Sequence, residues 1–380
     1  MSTSKMKIKN IYAVNFRNYS SCKLEIPSMI NVFFGQNAQG KTNILEAVFY
    51  SSFGMSHRTS SEEDLLKLGA KEMAVGVDYE SCSGSHNIKI KKYQQQERWK
   101  KEILLDNVKV RPKEHYGSLN TVMFSPEDLQ LVKGEPALRR RFFDMQIAQT
   151  DPIYYDLLVK YNRVLLQRNR LLKDIRDNGG RDALLLPWNE EFISLAAAIT
   201  KKRLAALARL QNIAGEIYGS ITSNKERLVV RYEQKANNST MLYPEQIEDA
   251  GEEFYRKSLE ERQRIDILRG NTGIGPHRDD LQLLLNGMSL KSFGSQGQQR
   301  SGALALKLSQ LEYVRREIGE CPILLLDDVM SELDNNRRAQ LLRFIDGRVQ
   351  TFITVNDKEL IPEFDSNAYF EICSGVIHQD

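Results

Sequence analysis

Residues 31–50 read NVFFGQNAQGKTNILEAVFY. A short apolar run, Val32-Phe33-Phe34, enters Gly35, and an apolar-periodic segment follows Thr42, so the stretch predicts a strand, a loop and a helix. Gly35, Gly40, Lys41 and Thr42 fit the phosphate-loop spacing G-x-x-x-x-G-K-[ST]. A polyphosphate has to be wrapped by backbone N–H groups, and side chains at the tight points would block that approach. Gly35, Gln36, Asn37, Ala38, Gln39 and Gly40 therefore form the expected cradle. Lys41 is a mobile cation for the β and γ phosphates, Thr42 offers its hydroxyl to Mg²⁺, and the helix turns its positive end toward the anion. The plainer alternative is a Gly-rich turn before an ordinary helix.

The chain has 380 residues, enough for two domains or one large domain with an insertion, and a hydrophobic share of 41% supports a real core. Lys+Arg 53 against Asp+Glu 50 leaves a formal charge of +3, so any nucleic-acid contact must come from local patches. Cys22, Cys82, Cys321 and Cys373 are scattered without metal-ligand spacing, which fits a reducing compartment better than a disulfide framework. With no apolar run long enough to cross a bilayer and no signal-like start, the expectation is a cytoplasmic protein with no membrane segment.

Upstream of the loop, residues 7–16 and 22–26 alternate and read as paired strands. The turn between them carries Arg17 and Asn18, either an ordinary surface turn or a contact to the nucleotide. Arg58, in the segment 56–59, is placed to approach the same nucleotide, and His57 has no partner at metal-ligand spacing. An acidic-capped helix is expected near residues 61–64, with Leu65, Leu66 and Leu68 on its buried side. Residues 73–80, 87–93 and 102–110 read as further strands, the last turning at Asp106-Asn107. Lys89, Lys91, Lys92, Lys100 and Lys101 crowd them. A solvated, charged edge explains these lysines, and Tyr93 and Trp99 among them leave a nucleic-acid patch open.

Pro126 breaks the strand pattern, and an insertion is expected to begin at residue 123. Asp151-Pro152 makes an N-cap and first helical position, followed by helical periodicity up to Asn178-Gly179-Gly180, and residues 188–217 form a second periodic stretch. Together they predict an antiparallel helical arm. A strand over 228–232 and a highly charged helix over 252–268 complete the insertion.

Beyond Gly270 come GPHRDD (275–280), a hairpin at Asn286-Gly287, and GSQGQQR (294–300). Ser295, Gln296, Gly297 and Gln298 form a small polar loop opening a helix, a second anion-facing helix start. It cannot share the first phosphate cradle, so it is expected to meet the γ-phosphate held by a second copy of the chain. Residues 323–328, ILLLDD, form a continuously apolar strand ending in two carboxylates. Asp327 is expected to hold Mg²⁺ through its water shell and Asp328 to polarise an attacking water. N-capping of the following helix is the alternative role for these aspartates. Residues 351–355 form one more buried strand, ending at Asn356-Asp357.

Phosphate loop, S-x-G-Q signature, Asp-Asp strand and SELD (331–334), in that order around an insertion, resemble the ABC-type ATPase heads of SMC-like proteins. FRNY (16–19), SHRT (56–59), FSPEDL (124–129), GPHRDD and GSQGQQR extend the match over nearly the whole chain, and it is similar to the RecF family of DNA replication and repair proteins. The resemblance implies an α/β fold: an ABC-type head with mixed sheet and phosphate loop, with head halves at residues 1–122 and 269–380 and a helical arm at 123–268.

It further implies an ATP- and Mg²⁺-dependent homodimer that binds single-stranded, gapped or junction DNA. Such a protein assists recombinase loading and the SOS response and works with RecR/RecO-type mediators. By motif, Gly35 to Thr42 bind ATP, Thr42 and Asp327 serve the metal, Lys41 and Asp328 are catalytic, and residues 295–298 close the partner copy's site. Two departures stand out. Asp328 occupies the position usually held by a catalytic Glu, and Thr354, Asn356 and Asp357 stand where a switch His is expected. Both imply slow hydrolysis acting as a timer, and the resemblance implies a weak, DNA-dependent ATPase. A transporter-type ATPase subunit and a module that holds ATP without turnover are the competing functions; the helical insertion disfavours the first and the intact aspartates the second.

Overall fold

The computed structural model describes residues 4–235, 241–242, 251–361 and 367–379. The chain divides into two compact units, Met1–Asp128 with Gln310–Asp380, and Leu129–Ser309.

The first unit holds two six-stranded sheets. One runs Val376–Gln379, Asn367–Cys373, Ile30–Phe34, Thr351–Thr354, Ile323–Asp327, Thr121–Phe124, parallel throughout except for the first pair. Its middle strands are apolar on successive residues because both faces are covered: all five residues of Ile323–Asp327 are buried, as are Val32, Phe33, Phe352 and Ile353. In register, Asp327 lies opposite Thr354, and Thr354 opposite Phe33. The Asp-Asp corner and the entrance to the glycine loop therefore leave the sheet along the same edge, where open parallel sheets place their ligands.

The second sheet is antiparallel, in the order Tyr19–Glu25, Lys7–Phe16, Glu72–Ser81, Gly84–Gln95, Arg98–Leu105, Val108–Val110. Its last turn is made by Asp106 and Asn107, both at positive φ as a tight two-residue hairpin requires. The helix Lys41–Phe53 packs against strands of both sheets. Every residue from Ile44 to Phe53 is buried, so the helix is enclosed on all sides rather than along one stripe. The helix expected near residue 61 is only a short 3₁₀ turn, Glu62–Leu65. Leu65 is buried, but Leu68 is fully exposed, because the turn ends before position 68 could face inward.

The second unit contains the helices Pro136–Ala148, Pro152–Asn178, Leu186–Thr222 and Glu252–Arg269. The Asp151 carboxylate caps the second of these by accepting from the Ile153 and Tyr154 amides. Cross-contacts pair Asp151 with Lys202, Tyr154 with Arg203, Tyr161 with Phe192 and Arg168 with Asn189. From Tyr154 through Tyr161 to Arg168 the partners run back from Arg203 through Phe192 to Asn189, so the two are antiparallel.

Arg168 is fully buried and donates to Asp266 at 3.2 Å, Thr272 at 2.6 Å and Asn189 at 2.9 Å, which ties the charged helix Glu252–Arg269 to the pair. Despite its charged sequence, that helix has an inner side: Tyr255, Leu259, Arg262 and Asp266 are buried.

The unit boundaries lie after Asp128 and Ser309, not at 122/123 and 268/269. Thr121–Phe124 belongs to the first unit's parallel sheet, whereas Asp280–Leu285 pairs with Leu228–Lys235 inside the second. The insertion is thus helical with its own small antiparallel sheet, and the helix Gln296–Ile318 runs across the second boundary.

Candidate phosphate-binding site

Gly35 has φ +139°, and a Cβ there would sit 2.6 Å from the Ile372 carbonyl oxygen; Gly40, at φ +118°, would place one 2.6 Å from Asn18 Nδ2. Both positions require glycine, for conformation and for space. Two hairpin turns hold the loop between them. Asn18 donates to Gln39 O at 2.9 Å and the Tyr19 hydroxyl to Gly40 O at 3.1 Å, while the Gly375 amide donates to Gln39 O at 3.1 Å and the Ser374 amide to Gln39 Oε1 at 2.5 Å.

Lys41 begins the helix and points its ammonium at Gly35 O (2.5 Å), Gln36 O (2.9 Å) and Asn356 Oδ1 (2.9 Å). Burial lowers its pKa from the ordinary lysine value, against the opposing pull of Asp328 and Asp327. The Thr42 hydroxyl donates to Asp327 Oδ1 at 2.8 Å across 285 residues of sequence, and the Thr354 hydroxyl donates to the same oxygen at 2.7 Å. Burial pushes the Asp327 carboxyl up, opposed by these two hydroxyls.

Asp328 adopts a left-handed conformation, φ 51°, unusual for a residue with a side chain. Its amide donates to Thr354 Oγ1 at 2.9 Å, and the Ser331 hydroxyl donates to its carbonyl and carboxylate. Thr354 thus holds both aspartates at once. The capping alternative does not describe Asp328, whose side chain makes no cap bond; Asp334 is the aspartate that caps a helix, accepting from the Arg337 amide at 3.0 Å.

The guanidinium of Arg17 is directed away from the cradle. It donates to both carboxylate oxygens of Glu46, at 2.8 and 2.7 Å, and to Asp64 O at 2.8 Å. Glu46 is fully buried on the helix after the loop and also accepts from Ser56 Oγ at 2.6 Å. Although burial works the other way, Arg17 and Ser56 hold its carboxyl below the ordinary value. Asn18 reaches the loop backbone and accepts from Asn43 at 2.8 Å, and Arg58 donates to Asn43 Oδ1 at 3.1 Å. Arg17, Asn18 and Arg58 therefore form one polar chain behind the loop, connected through Glu46 and Asn43.

In the second unit, Ser295 and Gln298 form a reciprocal capping box. The Gln298 amide donates to Ser295 Oγ at 3.2 Å, and the Ser295 amide to Gln298 Oε1 at 2.8 Å. Gln298 Nε2 also donates to Glu226 at 2.6 Å, while Ser295 and Gln296 are exposed at the helix start.

Basic residues at 139–141 and among the lysines at 89–101 are partly drawn into internal contacts. Arg139 is buried in a bidentate pair with Asp280, both bonds 2.8 Å, and Arg140 donates to Asp279 O at 2.7 Å, so residues 139–141 are not a free basic surface. Lys92 and Lys101 turn toward Glu62, leaving Lys89 and Lys100 as the exposed lysines of that group.

The residues present fit a metal-bound polyphosphate: a glycine cradle that tolerates no Cβ at its ends, a lysine, and a hydroxyl–carboxylate pair at a strand end. Among the described residues there is no cluster of three or more His, Cys, Asp or Glu side chains, so a metal here would need ligand oxygens as well as Thr42 and Asp327. Sequence reasoning assigned no role to Glu46, Thr354 or Asn356. Glu46 follows an apolar run whose burial makes any charge there a paired one, and Thr354 and Asn356 end a strand that lies beside the Asp-Asp strand.

The family model for the RecF/RecN/SMC N-terminal domain matches residues 7–375. The chain is 40% identical over 380 residues to the DNA replication and repair protein RecF of Natranaerobius thermophilus, covering 99% of this chain and 97% of that one. To the protein of the same name from Bacillus subtilis it is 39% identical over 351 residues, 92% and 93% of the two chains. A solved structure of the recombination mediator protein RecF with ATP in the RecFOR pathway superposes with a TM-score of 0.88 at 34% identity, covering 100% of this chain and 98% of that one. The Smc head domain of Pyrococcus furiosus shares the fold, with a TM-score of 0.55 at 16% identity over 99% and 96% of the chains. No helix among the described residues is long and apolar enough to cross a membrane.

Proposed function

This chain belongs to the RecF family within the RecF/RecN/SMC group, and on that premise we propose that it is an ATP-dependent DNA-binding protein of replication and recombinational repair. The observation that carries the reading is the 2.8 Å bond from Thr42 to Asp327 beside Lys41. A metal ligand, a phosphate cation and a second carboxylate at Asp328 converge there from opposite ends of the chain. Thr42 and Asp327 would hold Mg²⁺, which would supply charge neutralisation for the phosphates. The residues of this chain orient the phosphates, hold the carboxylates and place Asp328 for the attacking water.

In this reading two copies close on ATP, with Ser295, Gln296, Gly297 and Gln298 of one facing the nucleotide of the other. The exposure of Ser295 and Gln296 at a capped helix start supports that arrangement. The ATP-bound dimer binds single-stranded, gapped or junction DNA, assists recombinase loading and the SOS response with RecR/RecO-type mediators, and works in the cytoplasm. Hydrolysis is weak, because the carboxylate at 328 is short and no imidazole stands at 354–357; in this reading it is DNA-dependent and drives release.

The test is mass in solution by light scattering with no nucleotide, with ADP and with a non-hydrolysable ATP analogue. Dimer should form only with the analogue. Ser295→Arg adds bulk and charge at the point that should face the other copy's nucleotide, and should stay monomeric with the analogue. A monomer under every condition removes the two-chain site and leaves a nucleotide-holding module.

A further inference from the structure

We propose that Phe293 is an apolar anchor of the contact between two copies of this chain, an inference that rests on residues 295–298 meeting a second copy's nucleotide. Phe293 ends the short helix Leu290–Phe293, and only Gly294 separates it from Ser295. It is 72% exposed, and Met288 in the same segment is 58% exposed. Every other phenylalanine among the described residues is buried or half-buried. A single apolar side chain in water calls for no explanation. Its rigid seat and its place beside the signature loop set this one apart.

The backbone beneath the ring is held at both ends. Ser289 Oγ accepts from the Ser292 amide at 3.4 Å, and the Gly294 amide donates to Leu290 O at 3.1 Å. Leu290 is fully buried. Gln299, on the helix that carries the signature, donates to Leu290 O at 3.2 Å and to Lys291 O at 3.1 Å, which ties the short helix to that helix. At Gly294 a Cβ would lie 2.5 Å from Leu290 O and 2.6 Å from Leu290 Cδ1, so the turn into Ser295 closes tightly. The ring is therefore presented on an ordered backbone, and covering it carries little further cost in ordering.

Reach identifies the occupant as a second copy. Two residues of chain span at most about 7 Å, so the Cα atoms of Phe293 and Ser295 are no further apart than that. A stable interface covers about 800 Å² on each partner, a patch of roughly 16 Å radius. A copy close enough to bring its phosphates to Ser295 therefore covers Phe293 as well. Buried aromatic rings carry a large share of interface affinity, whereas polar groups fix orientation. In this division the signature loop sets the register on the nucleotide, and Phe293 supplies binding strength. A two-fold dimer uses the ring of each copy once, so one substitution acts twice.

The experiment is sedimentation equilibrium of the full chain with Mg²⁺ and a non-hydrolysable ATP analogue, for the wild type and for Phe293→Ala, Phe293→Leu and Phe293→Trp. Phe293→Ala should weaken the dimer about a hundredfold, roughly tenfold per ring, and Phe293→Leu should lose only part of that. Analogue affinity, measured at concentrations too low for dimer, should stay within about twofold of wild type, and the melting temperature within about 2 °C, because an exposed side chain supports neither. In Phe293→Trp the introduced indole reports burial directly. With the wild-type signal of Trp99 and Trp188 subtracted, its emission should move to shorter wavelength with the analogue and not with ADP. Dimer constants unchanged in Phe293→Ala, or emission that stays at the solvent-exposed wavelength in a dimer of Phe293→Trp, would overturn the proposal and leave the two-copy site intact. An emission shift produced by single-stranded DNA without nucleotide would overturn it too, since the ring would then have another occupant. A wild type that stays monomeric with the analogue would refute the two-copy reading itself.

Discussion

Arg17→Ala separates two roles for the turn before the phosphate loop, nucleotide contact and brace. Arg17 meets Glu46 through two bonds of 2.8 and 2.7 Å; the Glu46 side chain is 0% exposed and that of Arg17 19%. Removing one partner of a buried pair leaves an uncompensated charge and costs about 3–5 kcal/mol. Here Ser56 still donates to Glu46 and Arg58 lies 3.5 Å away, so the expected loss is about 3 kcal/mol, the low end. Glu46→Gln leaves Arg17 partly in water and should cost about 1 kcal/mol.

The pH dependence has a definite sign. Because Glu46 in the folded chain titrates below its ordinary value, the pair stabilises the fold above the ordinary carboxylate range. That contribution is lost as pH falls through the lowered value, a slope that Arg17→Ala should flatten. Urea denaturation gives the stability, and nucleotide titration on the same samples gives the affinity. A variant within about 0.5 kcal/mol of wild type whose nucleotide affinity collapses would refute the brace and make Arg17 a direct ligand contact.

Gly35→Ala should cost about 1–3 kcal/mol and abolish nucleotide binding, since φ +139° is combined with a backbone oxygen 2.6 Å from the new Cβ. Gly69→Ala, with positive φ but nothing within 4 Å, isolates the conformational part at about 1 kcal/mol, and equal losses by thermal denaturation would refute the steric account. His277 accepts from the Tyr161 hydroxyl at 2.6 Å and donates to Thr272 O, and burial pulls its pKa from 6.5 to about 3. The unfolded chain therefore binds the extra proton first, and stability falls as pH drops below about 6.5. Melting temperatures of wild type and His277→Gln, compared from pH 7.5 to 4.5, should converge as pH falls, the wild type losing its advantage. Asp279, pushed up to about 6 by burial, contributes in the opposite direction in both proteins and cancels in the difference.

The local code of this chain is explicit where chemistry restricts the choice of residue. Glycine at 35 and 40, lysine at 41 and threonine at 42 declare a phosphate loop because few other residues tolerate that backbone or supply those groups. The apolar run ending in Asp327 declares a doubly covered parallel strand, and Asp151-Pro152 declares a helix start. From such signals the ABC-type α/β class and the antiparallel arm could be read without coordinates.

What the sequence left undetermined depends on distant partners. Arg139 looks like surface charge until Asp280 is placed beside it, and Arg17 looks like a ligand contact until Glu46 closes on it. The second unit boundary lies beyond GPHRDD because Asp280–Leu285 pairs with Leu228–Lys235, a long-range register that no local pattern encodes. Thr354 and Asn356 acquire roles only when parallel pairing sets their strand between the glycine loop and the aspartates. Residue type determines what a side chain can do. Which atom it meets, whether water still reaches it, and so whether its charge is paired or free, is decided by the tertiary fold.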